Sequence, residues 1–143
     1  MSTRAGVLPR EFLSFVSNPA TEPFWAAARD HRLVIPRCTN CSTFRFPPVA
    51  FCWVCRHQEV DWVEHDGNAE LYSFTVVRHA VIPGLGDALP MIIGVVELPD
   101  TNGCRLIADL VGCPPDVVEI GMPVALEWYD ADEGSVPCFR PRA

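Results

Sequence analysis

Cys38-Thr39-Asn40-Cys41 and Cys52-Trp53-Val54-Cys55, separated by ten residues, decide how this chain is read. Two residues between cysteines let both thiolates face one ion within a tight turn. Two such turns joined by a short excursion complete a tetrahedral four-sulfur site, so Cys38, Cys41, Cys52 and Cys55 are the expected metal ligands. Disulfides or buried thiols are the bland competing readings, and iron is the sharper one, because four thiolates also hold iron in rubredoxin-like sites. Redox iron sites usually follow each cysteine pair with glycine. Here Ser42 and Arg56 stand in those positions, which favours zinc. A site closed by four sulfurs leaves no position for water or substrate; the ion is structural, and its binding energy is folding energy. His57, two residues past the last ligand, reads as a neighbour of the site. Cys104, Cys113 and Cys138 are isolated and read as small core residues.

Upstream of the quartet, residues 1–18 lack periodicity and are expected to form a loose arm, with Phe12, Leu13, Phe15 and Val16 available to dock. Thr21 is the expected N-cap of a helix near residues 22–30, with Glu22 and Pro23 in its first turn. Leu33-Val34-Ile35 reads as a short strand entering the first cysteine pair, and Val60–Glu64 as a strand leaving the second. Beyond the Asp66-Gly67 turn signal the pattern is all β. Strands are expected at Glu70–His79, Met91–Leu98, Arg105–Val111, Val124–Tyr129 and Cys138–Arg140, separated by Gly/Pro/Asp/Asn-rich turns. Leu106, Ala108 and Leu110 alternate, as do Val124, Leu126 and Trp128, so those faces should form the core. Met91–Val96 reads as a central strand, bent or bulged at Gly94. Five short strands with a small lid at Pro114–Glu119 fit a closed barrel of the OB type. The expected organisation is mainly β: an N-terminal arm and helix (1–31), a zinc ribbon (32–65) and a five-stranded OB-fold barrel (66–143).

Composition narrows the function. Hydrophobic residues make up 49% and charged residues 20% of the 143, the balance of a globular chain. No basic start precedes a long apolar run, and no stretch approaches a membrane helix, so a soluble cytoplasmic protein is expected. The net charge of −7 is unevenly spread. Residues 29–57 hold five arginines against Asp30, whereas residues 58–143 hold fifteen acids against four arginines. That acidic body argues against general nucleic-acid affinity. There is no lysine, which removes Schiff-base chemistry. Arg37 and Arg56 abut Cys38 and Cys55. Three roles stand open for such arginines: offsetting the net −2 of four thiolates around Zn²⁺, gripping a phosphate or a partner carboxylate, or simple solvation.

The ordered motifs resemble a known family. Pro23-Phe24-Trp25 comes first, then the Leu33–Cys38 approach, Phe46-Pro47-Pro48 between the cysteine pairs, Leu71–Val77, and Ile120-Gly121-Met122-Pro123-Val124. This order is similar to that of the acyl-CoA-associated zinc-ribbon/OB-fold proteins, formerly a domain of unknown function, over roughly residues 20–142. Ser42 and Arg56 depart from it, since the family often has glycine there.

The resemblance implies a rubredoxin-like zinc ribbon followed by an OB barrel. It implies an accessory role beside thiolase-superfamily enzymes, including acyltransferases, hydroxymethylglutaryl-CoA synthase with thiolase, and lipid-transfer-protein-type aldolases of steroid side-chain degradation, or beside a hydratase. Such a subunit binds or channels acyl-CoA while the partner performs the chemistry. Arg37, Arg45, Arg56, Phe24 and Trp25 are the expected contacts to CoA or partner, with Phe44 and Phe46 as further aromatics; Phe24 and Trp25 serve equally well as pins between helix and barrel. Two other readings are carried. One is a single-stranded nucleic-acid-binding module, a use both ribbons and OB barrels have. The other is a free-standing enzyme using Asp109, His79 and Glu97, although lone strand carboxylates are usually solvated or paired.

Overall fold

The structure is a computed structural model and describes residues 6–143. α1 (Glu22–Arg29) starts with Pro23 in its first turn, where a missing N–H costs nothing, and continues through three alanines. It buries Phe24, Ala27 and Ala28 and rests on β1 (Leu33–Cys38) and β7 (Ser135–Pro141). Thr21 does not cap it: its backbone is already helical and its hydroxyl makes no capping bond. The chain turns three residues earlier, at Asn18. Asn18 Oδ1 accepts from the N–H groups of Ala20 (2.9 Å) and Thr21 (3.1 Å), and its carbonyl accepts from Glu22 N (2.9 Å).

β1 pairs antiparallel with β2 (Val60–His65), in register from Leu33↔His65 to Cys38↔Val60. This two-stranded ribbon carries the cysteine segments at one end. The remaining strands, β3 (Asn68–Val77), β4 (Met91–Glu97), β5 (Arg105–Leu110), β6 (Pro123–Asp130) and β7, close a barrel in the order β3-β4-β5-β7-β6, with β6 returning to β3. The expected alternation holds: Leu106, Ala108 and Leu110 point inward with Val124 and Phe139. β4 is central, as expected, but the irregularity lies on its neighbour. The register shifts between Leu71 and Ser73 of β3, and Gly94 makes room for the Leu71 side chain, which a Cβ there would approach to 3.1 Å. The Asp66-Gly67 turn depends on Gly67, at φ 80°, because a Cβ would lie 2.3 Å from Leu126 Cβ. The lid between β5 and β6 is reduced to one 3₁₀ turn, Pro115–Val117, with Val118 buried behind it. β7 runs longer than expected through Pro137 and Pro141. It pairs with β6 along its whole length but with β5 only at Leu110↔Phe139, so a missing N–H is tolerated on its open side.

Helix, ribbon and barrel share a core. Phe24, Leu33 and Ile35 belong to the same buried cluster as Leu71, Val96, Leu106 and Phe139. The N-terminal arm was expected to be loose, and residues 1–5 lie outside the described residues. From Gly6 onward it is packed on the barrel. Gly6 N donates to Ala88 O (3.0 Å), Val7 is buried with Val111, Tyr129 and Cys138, and Leu13 packs on that cluster. Phe15 meets Trp25 edge-on at 5.2 Å, while Val16 stays in solvent. An apolar residue at every second or third position was enough to pin an irregular segment that has no helix or strand period to announce it.

Asp109, on the outer face of β5, receives the N–H of Leu8 beneath this strap. Burial pushes its carboxyl up to about 6, with the Leu8 bond opposing that shift. A folded-state pKa above the unfolded one means that the folded chain holds its proton more tightly, so this contribution is fully present below about pH 4 and is lost as pH rises through 6. Asp109→Asn keeps an acceptor for Leu8 and removes the buried charge. Urea titrations should therefore show it more stable than wild type at pH 7.5, by no more than about 3 kcal/mol, with the difference vanishing near pH 4.

Candidate metal centre

The two cysteine turns are built alike. In the first, Cys38 N donates to Thr43 O (2.9 Å) and Ser42 N to Cys38 O (3.0 Å). In the second, Cys52 N donates to His57 O (2.8 Å) and Arg56 N to Cys52 O (3.0 Å). The repeat forces the residue after each Cys-x2-Cys into the left-handed region, Ser42 at φ 63° and Arg56 at φ 69°. These are the two places where glycine was missed in the sequence. The chain keeps the turn and accepts the strain of a side chain there.

The four sulfurs converge, all lying within 4.8 Å of one another. Cys38 and Cys55 Sγ are 3.6 Å apart, and Cys41 and Cys52 Sγ are 3.5 Å apart. A tetrahedral ion with metal–sulfur bonds of about 2.3 Å needs sulfurs about 3.8 Å apart, so the residues present fit such an ion with little adjustment. At Cys52 and Cys55 N–H groups already favour the thiolate form, whereas at Cys38 the N–H of Cys41 is outweighed by burial and the neighbouring Cys55 and Cys41 side chains, and the thiol is held up. A backbone N–H of Cys55 leads in lowering the Cys52 thiol, and the Asn40 side chain leads in lowering Cys55 to about 6. Val54 N reaches Cys52 Sγ at 3.4 Å, and the Cys41 sulfur lies 3.3 Å from Thr43 Oγ1. His57 is not a ligand: its Nε2 is 2.9 Å from Thr39 Oγ1. Asn40 and Thr43 were missed by sequence reading, although a polar residue inside or just after a Cys-x2-Cys turn is where a sulfur would find a donor.

The five expected CoA or partner contacts divide. Arg45 is 3% exposed; Nη1 donates to His57 O (3.0 Å) and Nη2 to Gln58 O (2.6 Å), and Nε has no partner. It braces the second turn from within and is not a surface contact. Phe24 is buried in the core and does pin the helix. Trp25 is half-buried between Phe15 and Phe24. Arg37 is half-buried with its guanidinium 5.8 Å from the Phe44 ring, and Arg56 is exposed. The acid–base trio does not assemble. Glu97 pairs with Arg105 Nε (3.1 Å), Asp109 holds Leu8, and His79 is exposed in the segment after β3.

Residues 25–61 match the family model described as the ChsH2 rubredoxin-like zinc ribbon domain, and residues 62–129 match the ChsH2 C-terminal OB-fold domain. This chain belongs to the ChsH2-type zinc-ribbon/OB-fold family. A solved structure titled "Ltp2-ChsH2(DUF35) aldolase" has a chain 41% identical to it, with a TM-score of 0.80 over 90% of this chain and 98% of that one. A "Probable enoyl-CoA hydratase alpha subunit" of Thermomonospora curvata is 45% identical over 82% of this chain and 36% of the relative. A "3-oxo-4,17-pregnadiene-20-carboxyl-CoA hydratase alpha subunit" of Mycobacterium tuberculosis is 32% identical over 87% of this chain and 39% of its own length. The chain therefore spans well under half of these two relatives. The family's ribbon-then-barrel order agrees with the fold class read from the sequence. No helix among the described residues is long and apolar enough to cross a membrane.

The turn geometry carries its own test. Ser42→Gly and Arg56→Gly relieve left-handed strain without touching a ligand. Each should stabilise the metal-loaded protein by about 1 kcal/mol in thermal or denaturant unfolding, with metal content unchanged.

Proposed function

We propose that this chain is a non-catalytic accessory subunit with one structural zinc, which supports a thiolase-superfamily partner acting on acyl-CoA thioesters, as an acyltransferase or as an aldolase of steroid or lipid side-chain breakdown. The observation that carries the reading is the likeness, across nearly its whole length, to a chain of an aldolase named jointly for Ltp2 and ChsH2, together with the match to the ChsH2 family models. The two relatives named as hydratase subunits point the same way, toward a part of an assembly that handles acyl-CoA. Zinc is held by Cys38, Cys41, Cys52 and Cys55. It closes the ribbon of residues 32–65 between the N-terminal arm and helix (1–31) and the barrel (66–143), and it supplies cross-linking rather than a reactive water. Arg37 and Arg56, with the half-buried Trp25, are the residues left of the expected five to meet CoA phosphates or the partner. Arg45 and Phe24 act beneath the surface.

Metal analysis should find about one zinc per chain, and Cys41→Ser should lose it together with ribbon structure. Iron with thiolate charge-transfer absorption, or a folded metal-free Cys41→Ser protein, would overturn the structural zinc. Arg45→Ala strips Gln58 O of its donor, leaves His57 O with Cys52 N alone, and should cost about 2 kcal/mol or more in stability. Arg37→Ala/Arg56→Ala should instead keep zinc and fold and raise the KM for acyl-CoA of the assembled enzyme several-fold. For the subunit reading itself, the chain is co-expressed with the thiolase-superfamily protein of its own genome, followed by size exclusion and an acyl-CoA cleavage assay. Separate elution, together with equal partner activity without this chain, would end it.

A further inference from the structure

Four large apolar side chains stand in solvent around the second cysteine turn: Val49, Phe51, Trp53 and Val54, exposed to 49, 55, 66 and 52%. Local geometry explains why Trp53 and Val54 point outward. Cys52 and Cys55 turn their sulfurs in toward the ion, so the two residues between them face away. Geometry does not explain why they are apolar, since any polar residue would satisfy the turn. Two grooves flank this ridge. One, of about 300 Å³, runs between the ribbon and the β4–β5 hairpin, lined by Phe44, Phe46, Trp53 and Asn102. The other, of about 260 Å³, lies beside Pro48, Ala50 and Trp62, and Val49 borders both. The ridge is held in place. Trp53 Nε1 donates to Phe44 O (3.4 Å), and Phe44 N donates to Asn102 Oδ1 (3.0 Å) of the barrel.

The charge around the ridge selects what can cover it. Among the described residues, Arg29 and Arg32 have acidic partners, Glu22 and Glu64, whereas Arg37, Arg45 and Arg56 form no ion pair. Two unpaired guanidinium groups, Arg37 and Arg56, thus sit beside the apolar ridge, with Arg45 buried beneath it, on a chain whose residues from 58 onward carry fifteen acids. A second copy meeting ridge to ridge would set those arginines against each other, and two chains of net charge −7 repel at long range.

We infer that the ribbon tip, residues 49–54, is the docking surface for the enzyme partner, seated in an apolar depression of that protein rimmed by carboxylates. The inference rests on the accessory-subunit reading and adds the face by which the subunit is held. Apolar and aromatic side chains at the centre supply affinity, and the arginines supply orientation and salt dependence.

The test measures the Kd between the full-length zinc-loaded chain and its thiolase-superfamily partner, for wild type, Phe51→Glu/Trp53→Glu, the milder Trp53→Ser, and Ile107→Glu on the outer wall of the barrel. Zinc content and circular dichroism are checked for each. The inference expects the double variant to bind at least tenfold more weakly and Trp53→Ser several-fold more weakly, both with full zinc. Ile107→Glu should bind as wild type does, and wild-type binding should weaken as salt rises from about 0.05 to 0.5 M. Wild-type Kd in metal-loaded Trp53→Ser, or loss of binding in Ile107→Glu alone, overturns it while leaving the subunit reading intact. A wild-type chain that does not bind at all ends the subunit reading, and the docking face falls with it.

Discussion

The ribbon half of the molecule depends on four thiolates meeting at one point. Between residues 39 and 59 the only buried side chains are Arg45 and Cys52. That is no hydrophobic core, and a two-stranded ribbon is marginal in water by itself. Four sulfurs within 4.8 Å, some already pushed toward thiolate by N–H donors, would repel without a cation between them. An ion at that point turns the repulsion into the strongest cross-link in the segment. It also explains Arg45. A guanidinium buried without an acidic partner is costly in an apolar interior. Beside a centre of net charge −2 it is a counterion as well as a brace for the carbonyls of His57 and Gln58.

That constraint reaches the barrel by short routes. β1 leads into the first cysteine turn and sends Leu33 and Ile35 into the barrel's own core, alongside Phe24 of the helix. Asn102 holds the first turn to the β4–β5 hairpin, and His65 Nε2 reaches Pro99 O on that same hairpin at 3.0 Å. At the other end His31 lies flat on Trp128 and meets Asp130 Oδ1 at 2.7 Å. The ribbon tip is therefore fixed in orientation relative to the barrel. It can present a rigid face, with little ordering entropy left to lose on contact.

Sequence reading served well where one period or one spacing dominated. The cysteine spacing picked out the four sulfurs that converge, the two-residue alternation in β5 and β6 gave the inward faces, and Asp66-Gly67 gave its turn. It served poorly where burial was decided by distant packing. Arg45 and Arg56 look equivalent in a list of basic residues, but one faces the carbonyls of residues 57 and 58 and the other faces water. The N-terminal arm has no period, yet Val7 and Leu13 find a hydrophobic cluster made by β5–β7 residues more than ninety positions away. Gly94 announced an irregularity, but the register shift fell on β3, because the glycine's role is to admit Leu71. The ribbon-tip residues were legible in principle, since the middle positions of a closed Cys-x2-Cys turn must face away from the metal.

The separation of charge gives the last physical step. Residues 29–57 and 58–143 carry opposite net charge, and the apolar ridge lies within the basic segment. In a field of that shape an acidic-rimmed partner is drawn to the ribbon tip, away from the acids of β2 and the barrel, while an acidic or polyanionic surface is repelled from the barrel. Diffusional encounters are thereby biased toward one end of the molecule before any side chain is buried. Raw affinity then comes from Phe51 and Trp53, whose burial would each remove a large aromatic surface from water. The same arrangement disfavours nucleic acid. A groove tracking phosphates needs a run of cations beside its stacking aromatics, and here two unpaired surface arginines stand against a chain of net charge −7. What the ribbon offers is a small, rigid, apolar knob with a positive collar, a shape suited to a pocket in another folded protein rather than to a strand of nucleotides.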